Sequence, residues 1–343
     1  MKLSFFVNRA ISAVASAAAL TAISFPASAQ TGSSAYEFLE IPSSSRVYGL
    51  GGCNISIVDA DVMLSRQNPA MLGAEIGSQL AVSYMRYMGS ANFAGARFGH
   101  SSGERGAWAA GISYLNYGEI SGYDHTGAFT GSFTPVDMVF EGTYSHDFTD
   151  RLRGGISLKM LYSNYEQYSA FALAADLGIN YYDPDHDLSL SAVLKNMGGQ
   201  LKRFQDNYDH LPFDVQLGLT KGLGESFSVS VTAWNLTKWH LPYYSHPSSG
   251  SSASERKESF GSNLLRHLVF GVEYMPTDRF YLDLGYNYKT RTDMSTYQRN
   301  FFSGFSIGAG FRARAFNVGV AYAMPHKSAS TLLLNLALDI SAL

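Results

Sequence analysis

Along the stretch STLLLNLALDI, Leu332, Leu334, Leu336, Leu338 and Ile340 fall on one side of a period of two. Thr331, Leu333, Asn335, Ala337 and Asp339 fall on the other. Strict alternation of this kind marks a strand with one apolar face. The same rule recurs upstream. Phe280, Leu282, Leu284, Tyr286 and Tyr288 alternate with Tyr281, Asp283, Gly285 and Asn287, and Phe171 to Tyr181 and Leu268 to Tyr274 behave alike. The acids Asp176, Glu273, Asp283 and Asp339 always sit on the minority face, where a polar lumen tolerates them and lipid does not. Fourteen such runs are predicted: 79–88, 92–100, 106–116, 136–148, 151–163, 170–181, 187–196, 213–221, 226–235, 266–275, 279–289, 303–313, 315–324 and 329–340. Most approach or exceed the ~9–11 residues that a tilted strand needs to cross a bilayer.

The connections give an independent test. Short turns at 101–105, 149–150, 222–225, 276–278 and 312–315 alternate with longer connections at 117–135, 164–169, 197–212, 236–265 and 290–302. Short periplasmic turns opposite long external loops belong to a bacterial barrel, and an even count puts both ends of the wall on the periplasmic side. The expected fold is therefore all-β, a 14-stranded antiparallel transmembrane β-barrel in the outer membrane. A soluble β-sandwich would alternate too, but its outer face would be charged. Here that face is Gly, Ala, Ser and an occasional acid.

Composition agrees. Of 343 residues, 22 are Tyr, 22 Phe and 33 Gly, and only 15% are charged, which suits a lipid-facing wall with aromatic girdles. Residues 1–29 read as a signal peptide: Lys2 and Arg9, an apolar run from Ala10 to Ile23, then Ala27-Ser28-Ala29. Its removal takes two cations and no acid, so the formal net charge moves from −3 to −5. That balance argues against a nucleic-acid partner. Cys53 is the only cysteine, so no internal disulfide forms.

Residues 30–78 precede the wall and have no place in it, and 79–343 form the barrel. Fourteen strands enclose more room than their own side chains fill, so the leading segment is expected to be a hatch in the periplasmic half of the lumen. It carries the flexible YGLGG at 48–52 and then one short, broken helical segment, DADVMLSRQNPAML, with Asp59 as N-cap and Asp61 in the first turn. Met63, Leu64 and Met71 should pack on small inward residues, and Arg66 should meet lumen acids. Asn68-Pro69 breaks the helix.

The long run YEFLEIPSSSRVYGLGGCNISIVDADVMLSRQNPAML, ahead of such a barrel, resembles the fatty-acid-transporter-like outer-membrane proteins. More narrowly it is similar to the PorV/PorQ family of the type IX secretion system, on its PorQ-like side, over the whole mature chain. The resemblance implies a component of a surface attachment complex. Such a barrel anchors a soluble PorZ-like protein and works with PorU and PorV to process secreted cargo and join it to lipopolysaccharide. The chain departs from many barrels by ending Ser341-Ala342-Leu343 rather than on an aromatic residue. The alternative is an outer-membrane transporter for hydrophobic small molecules, for which the inward Leu115, Leu161 and Leu333 leave room.

No catalytic, cofactor or metal constellation is evident, so no enzyme is expected. His240 and His246 lack further ligands at metal spacing, and the loop serines lack a matching His and acid. Partner contact is expected instead from the aromatic and basic residues of the long loops, the types that anchor interfaces. These are Trp239, Tyr243, Tyr244, Arg256, Lys257, Phe260 and Arg266; then Lys202, Arg203 and Phe204; then Tyr297 and Arg299.

Overall fold

The computed structural model describes residues 36–342 except 88, 205–207, 242–243, 246–253, 256–258, 294–300 and 327–328. The leader at 1–29, the loop residues Tyr243, Arg256, Lys257, Tyr297 and Arg299, and His246 lie outside the described residues.

The strands are β1 (Ser78–Tyr87), β2 (Ala91–Ser102), β3 (Gly106–Asn116), β4 (Ile120–Tyr123), β5 (Phe129–Phe133), β6 (Val136–Thr149), β7 (Leu152–Tyr165), β8 (Tyr168–Asp183) and β9 (Leu188–Lys202). They continue with β10 (Asp214–Leu223), β11 (Phe227–Ala233), β12 (Tyr244–Ser245), β13 (Ser254–Glu255), β14 (Leu268–Thr277), β15 (Phe280–Asn287), β16 (Phe305–Arg312), β17 (Phe316–His326) and β18 (Ala329–Asp339). Fourteen of them pair antiparallel with their chain neighbours and close, β1 on β18, into one barrel. Closure pairs Gln79 with Asp339 and Arg86 with Leu332, so no strand edge is left along that seam.

The predicted alternation sets the two faces. Leu332, Leu334 and Leu336 point outward and are exposed, while Leu333 and Thr331 are fully buried inside. Asp176, Glu273 and Asp283 are likewise buried on the lumen side. An aliphatic exterior around a closed ladder is stable only against hydrocarbon, and this architecture places the chain in the bacterial outer membrane. No helix among the described residues is long and apolar enough to cross a membrane.

The loops hold more structure than periodicity shows. The connection 117–135 contains the hairpin β4–β5, a separate two-stranded sheet. β9 runs on through Lys202, past the expected end at 196. A bulge at Lys195–Asn196, with Asn196 at φ 56°, turns both side chains inward opposite Asp176. The 236–265 loop contains the strand pair β12–β13 and runs into a helix, Phe260–Arg266, capped by the Ser259 side chain. That helix also takes Arg266, which alternation had placed at the start of a strand.

Candidate functional site

The lumen and the segment inside it are the candidate site. Residues 36–76 fill both halves of the barrel, beyond the periplasmic half expected for them. Helix α1 (Ser45–Gly49) opens behind Ser44, whose hydroxyl accepts from the Val47 amide. Short 3-10 turns follow at Val62–Arg66, Pro69–Met71 and Ala74–Ile76. Asp61, and not Asp59, caps the first of these turns, accepting from the Met63 amide at 2.9 Å. Asn68 caps the second, at 2.9 Å from the Ala70 amide, with Pro69 in the first helical position where its missing N–H costs nothing. Val47, Leu50, Ile57, Leu64 and Met71 form a small core of the hatch itself. Met63 packs with Val62, Leu72 and Ile76 on Ala81, Ala107 and Ala109 of the periplasmic half of the wall.

The YGLGG stretch is not a flexible spacer. Gly51 sits at φ +101°, a conformation that suits glycine, and a side chain on Gly49 would strike the Gly308 backbone at 2.8 Å. The glycines let hatch and wall backbones touch.

Two buried ionic posts tie the hatch to the wall. Arg46 donates to both Glu273 oxygens, at 2.5 and 2.7 Å, and also pairs with Asp59. Asp59 in turn binds Arg312, so it joins hatch to wall instead of capping a helix. The Arg46 and Arg312 guanidinium groups lie 5.4 and 5.5 Å from the Tyr281 ring centre. On another part of the wall, Arg66 donates to Ser113 at 2.7 Å and stands 4.0 Å from Glu141, which pairs with Arg97 at 2.7 Å. Lys159 and Asp176 pair at 2.5 Å nearby. The sequence pointed to Arg66 but not to Arg46 or Glu141. A lone Arg in SSSRVYG, and single acids on minority faces, were the available signals.

Above the posts the lumen turns apolar. Met85, Phe93, Leu115, Val139, Leu161 and Leu333 converge from six strands, and Tyr36, Phe38, Leu39 and Ile41 of the hatch pack among them. Beside this compartment Tyr117 and Tyr165 both donate to Asp137, at 2.6 and 2.9 Å.

The loop residues expected to contact a partner divide. Trp239 and Phe260 are exposed, 5.6 Å apart between ring centres. Arg266, expected among the contact residues, is instead fully buried, donating to the Leu241 carbonyl at 2.5 Å and to Asp293 at 2.6 Å. Phe204 stacks on Tyr165 at 4.9 Å, Arg203 lies over Tyr208, and Lys202 donates to Ser169. Tyr244 belongs to β12. Exposed Tyr123 and Phe129, on β4 and β5, were not singled out from sequence, although both are large aromatics in a Gly-containing loop.

No protein-family model matches the chain, and no curated protein does. Solved structures do match in fold. The TodX monoaromatic hydrocarbon channel, in a deltaS2 mutant form, aligns at TM-score 0.58 and 11% identity, over 87% of this chain and 98% of that one. The toluene transporter TodX of Pseudomonas putida aligns at 0.53 and 12%, over 86% and 96%. A Pseudomonas aeruginosa FadL homologue aligns at 0.51 and 12%, over 87% and 98%. At these identities the likeness is one of fold.

Proposed function

We propose that this chain is an outer-membrane barrel that admits hydrophobic small molecules through the apolar compartment at the outer end of its lumen. One observation carries the reading: six inward apolar side chains, from Met85 round to Leu333, meet at that level. A pore for water-soluble solutes lines its lumen with polar groups. A compartment of this kind instead gains about 25 cal/mol per Å² of apolar solute surface it takes from water. The fold likeness to channels described as carrying monoaromatic hydrocarbons and toluene supports the same direction. Tyr36, Phe38, Leu39 and Ile41 occupy the compartment here, so a solute has to displace them.

The test is saturable binding of N-phenyl-1-naphthylamine to the purified barrel in detergent. Leu115→Asp with Leu161→Asp, in a barrel that still shifts on a gel when heated, should weaken binding by about tenfold or more, the equivalent of about 1.4 kcal/mol. Equal affinity in both proteins would overturn the reading.

A second reading rests on a different observation. Among the described residues the β4–β5 hairpin pairs only with itself, and it exposes Ile120, Tyr123 and Phe129. Together with the likeness of the leading segment to the PorV/PorQ family, it supports a barrel that anchors a PorZ-like surface protein beside PorU and PorV, in contact with lipopolysaccharide. Neither reading asks for catalysis or a cofactor from this chain. Recovery of a large secreted partner in a mild-detergent pull-down, lost when 117–135 is replaced by a short turn, would favour anchoring. Recovery of the barrel alone would favour transport.

A further inference from the structure

The barrel wall is uneven in height. On β8 the outward residues run from Phe171 to Tyr181, ten residue steps. At about 3.3 Å per step and a tilt of about 40°, they cover about 25 Å along the barrel axis, the height of the usual lipid-facing band. Further round, the outward residues of β11 run only from Phe227 to Ala233, and those of β15 from Phe280 to Tyr286. Six steps cover about 15 Å, which leaves the wall about 10 Å short of the band.

The helix Phe260–Arg266, α2, leads directly into β14 above this low section, and it is built inside out. Its polar side chains face the protein. Arg266 is 0% exposed, and Asn263 is buried and donates to the Trp239 carbonyl at 2.6 Å. Its apolar side chains face away: Phe260 is 71%, Leu264 39% and Leu265 42% exposed. A helix bathed in water turns its leucines inward and its arginine outward. The reverse arrangement is stable where the surroundings are hydrocarbon and the polar side chains turn to partners inside the protein. A helix is also about 10 Å across, which matches the missing height.

We propose that α2 completes the barrel wall in the outer leaflet, with lipid acyl chains covering Phe260, Leu264 and Leu265. The helix runs through His267 directly into β14, whose outward residues Phe270, Val272 and Tyr274 belong to the lipid-facing band, and that continuity selects lipid over a protein as its occupant. Trp239, against Phe260 and stacked on His267 at 5.2 Å, then belongs to the interfacial girdle.

The test uses the full chain with Cys53→Ala and one new cysteine carrying a fluorophore, reconstituted into phosphatidylcholine vesicles with or without brominated acyl chains. A label at Leu265→Cys should lose most of its fluorescence to the brominated lipid, as one at Leu284→Cys on β15 does. A label at His125→Cys, in the exposed β4–β5 turn, should lose none. Phe260→Cys repeats the measurement in case the Leu265 variant assembles poorly. If Leu265 and Phe260 labels stay as bright as the His125 label, water or a protein covers this face and the proposal fails.

Discussion

Replacing Arg46 with Met tests whether ion pairing seats the hatch. The substitution keeps an unbranched apolar stem and deletes both hydrogen bonds to Glu273 and the pair with Asp59. Glu273 then remains buried, directly opposite Asp283 across the β14–β15 ladder. Removing one partner of a buried pair costs about 3–5 kcal/mol, because the remaining charge is left without compensation. Arg46 belongs to the hatch and Glu273 to the wall, so the cost falls on seating, not on strand pairing. The unseated population should rise by about a hundredfold to a few thousandfold, at a factor of ten per 1.4 kcal/mol. Cys53 reports it. Its thiol is buried 3.7 Å from Gln216 Oε1, and burial pushes its pKa up to about 12. At pH 8 it is protonated and occluded, and a water-soluble maleimide reaches it only when the hatch leaves its seat. Arg46→Met should therefore raise the labelling rate by that same factor. Adding Glu273→Gln should return most of it, since the uncompensated carboxylate is gone. Equal labelling of wild type and Arg46→Met, with both fully reactive in denaturant, would refute the argument.

Gly285→Val should leave a heat-modifiable barrel with an unseated hatch, because a Cβ there would lie 2.0 Å from the Gly51 amide nitrogen; fast Cys53 labelling is the readout. Glu141→Ala strips the carboxylate from Arg97 and Arg66 and should lower the urea midpoint by the equivalent of about 3 kcal/mol. Leu284→Arg puts a charge into lipid at mid-wall and should destabilise the reconstituted barrel by about 2–4 kcal/mol, measured by unfolding in vesicles. Deleting residues 36–72 should raise single-channel conductance in planar bilayers, and unchanged conductance would show that the segment does not obstruct the lumen.

The wall was legible from sequence because lipid imposes one rule on every strand. Leu332, Leu334 and Leu336 face the same hydrocarbon as Leu282 and Leu284, so one period of two repeats round the barrel. The loops obey no common rule. α2 escaped notice because Leu264 and Leu265 sit beside Arg266, and a helix with inverted polarity carries no familiar apolar stripe facing a core. The extension of β9 escaped because Lys195 and Asn196 both turn inward at a bulge, which breaks the period where it would have continued.

The minority face of each strand is the more instructive case. From sequence its Gly, Ala, Ser and scattered acids suit a polar lumen, on which Met63, Leu64, Met71 and Arg66 of the hatch are expected to press. The structure makes that face one half of a protein core. Ala81, Ala107 and Ala109 are small because Val62, Met63 and Leu72 press on them, and Gly285 is bare because the Gly51 backbone lies against it. Glu273 and Glu141 are not solvated acids but the fixed partners of Arg46 and of Arg97 with Arg66. A water-filled lumen would let these positions vary independently. A plugged one couples each to a particular residue of 36–76, so exchanging Arg46 and Glu273 together should be tolerated far better than changing either alone. That double exchange, read by Cys53 labelling, separates a seated plug from a segment that merely rests in a pore.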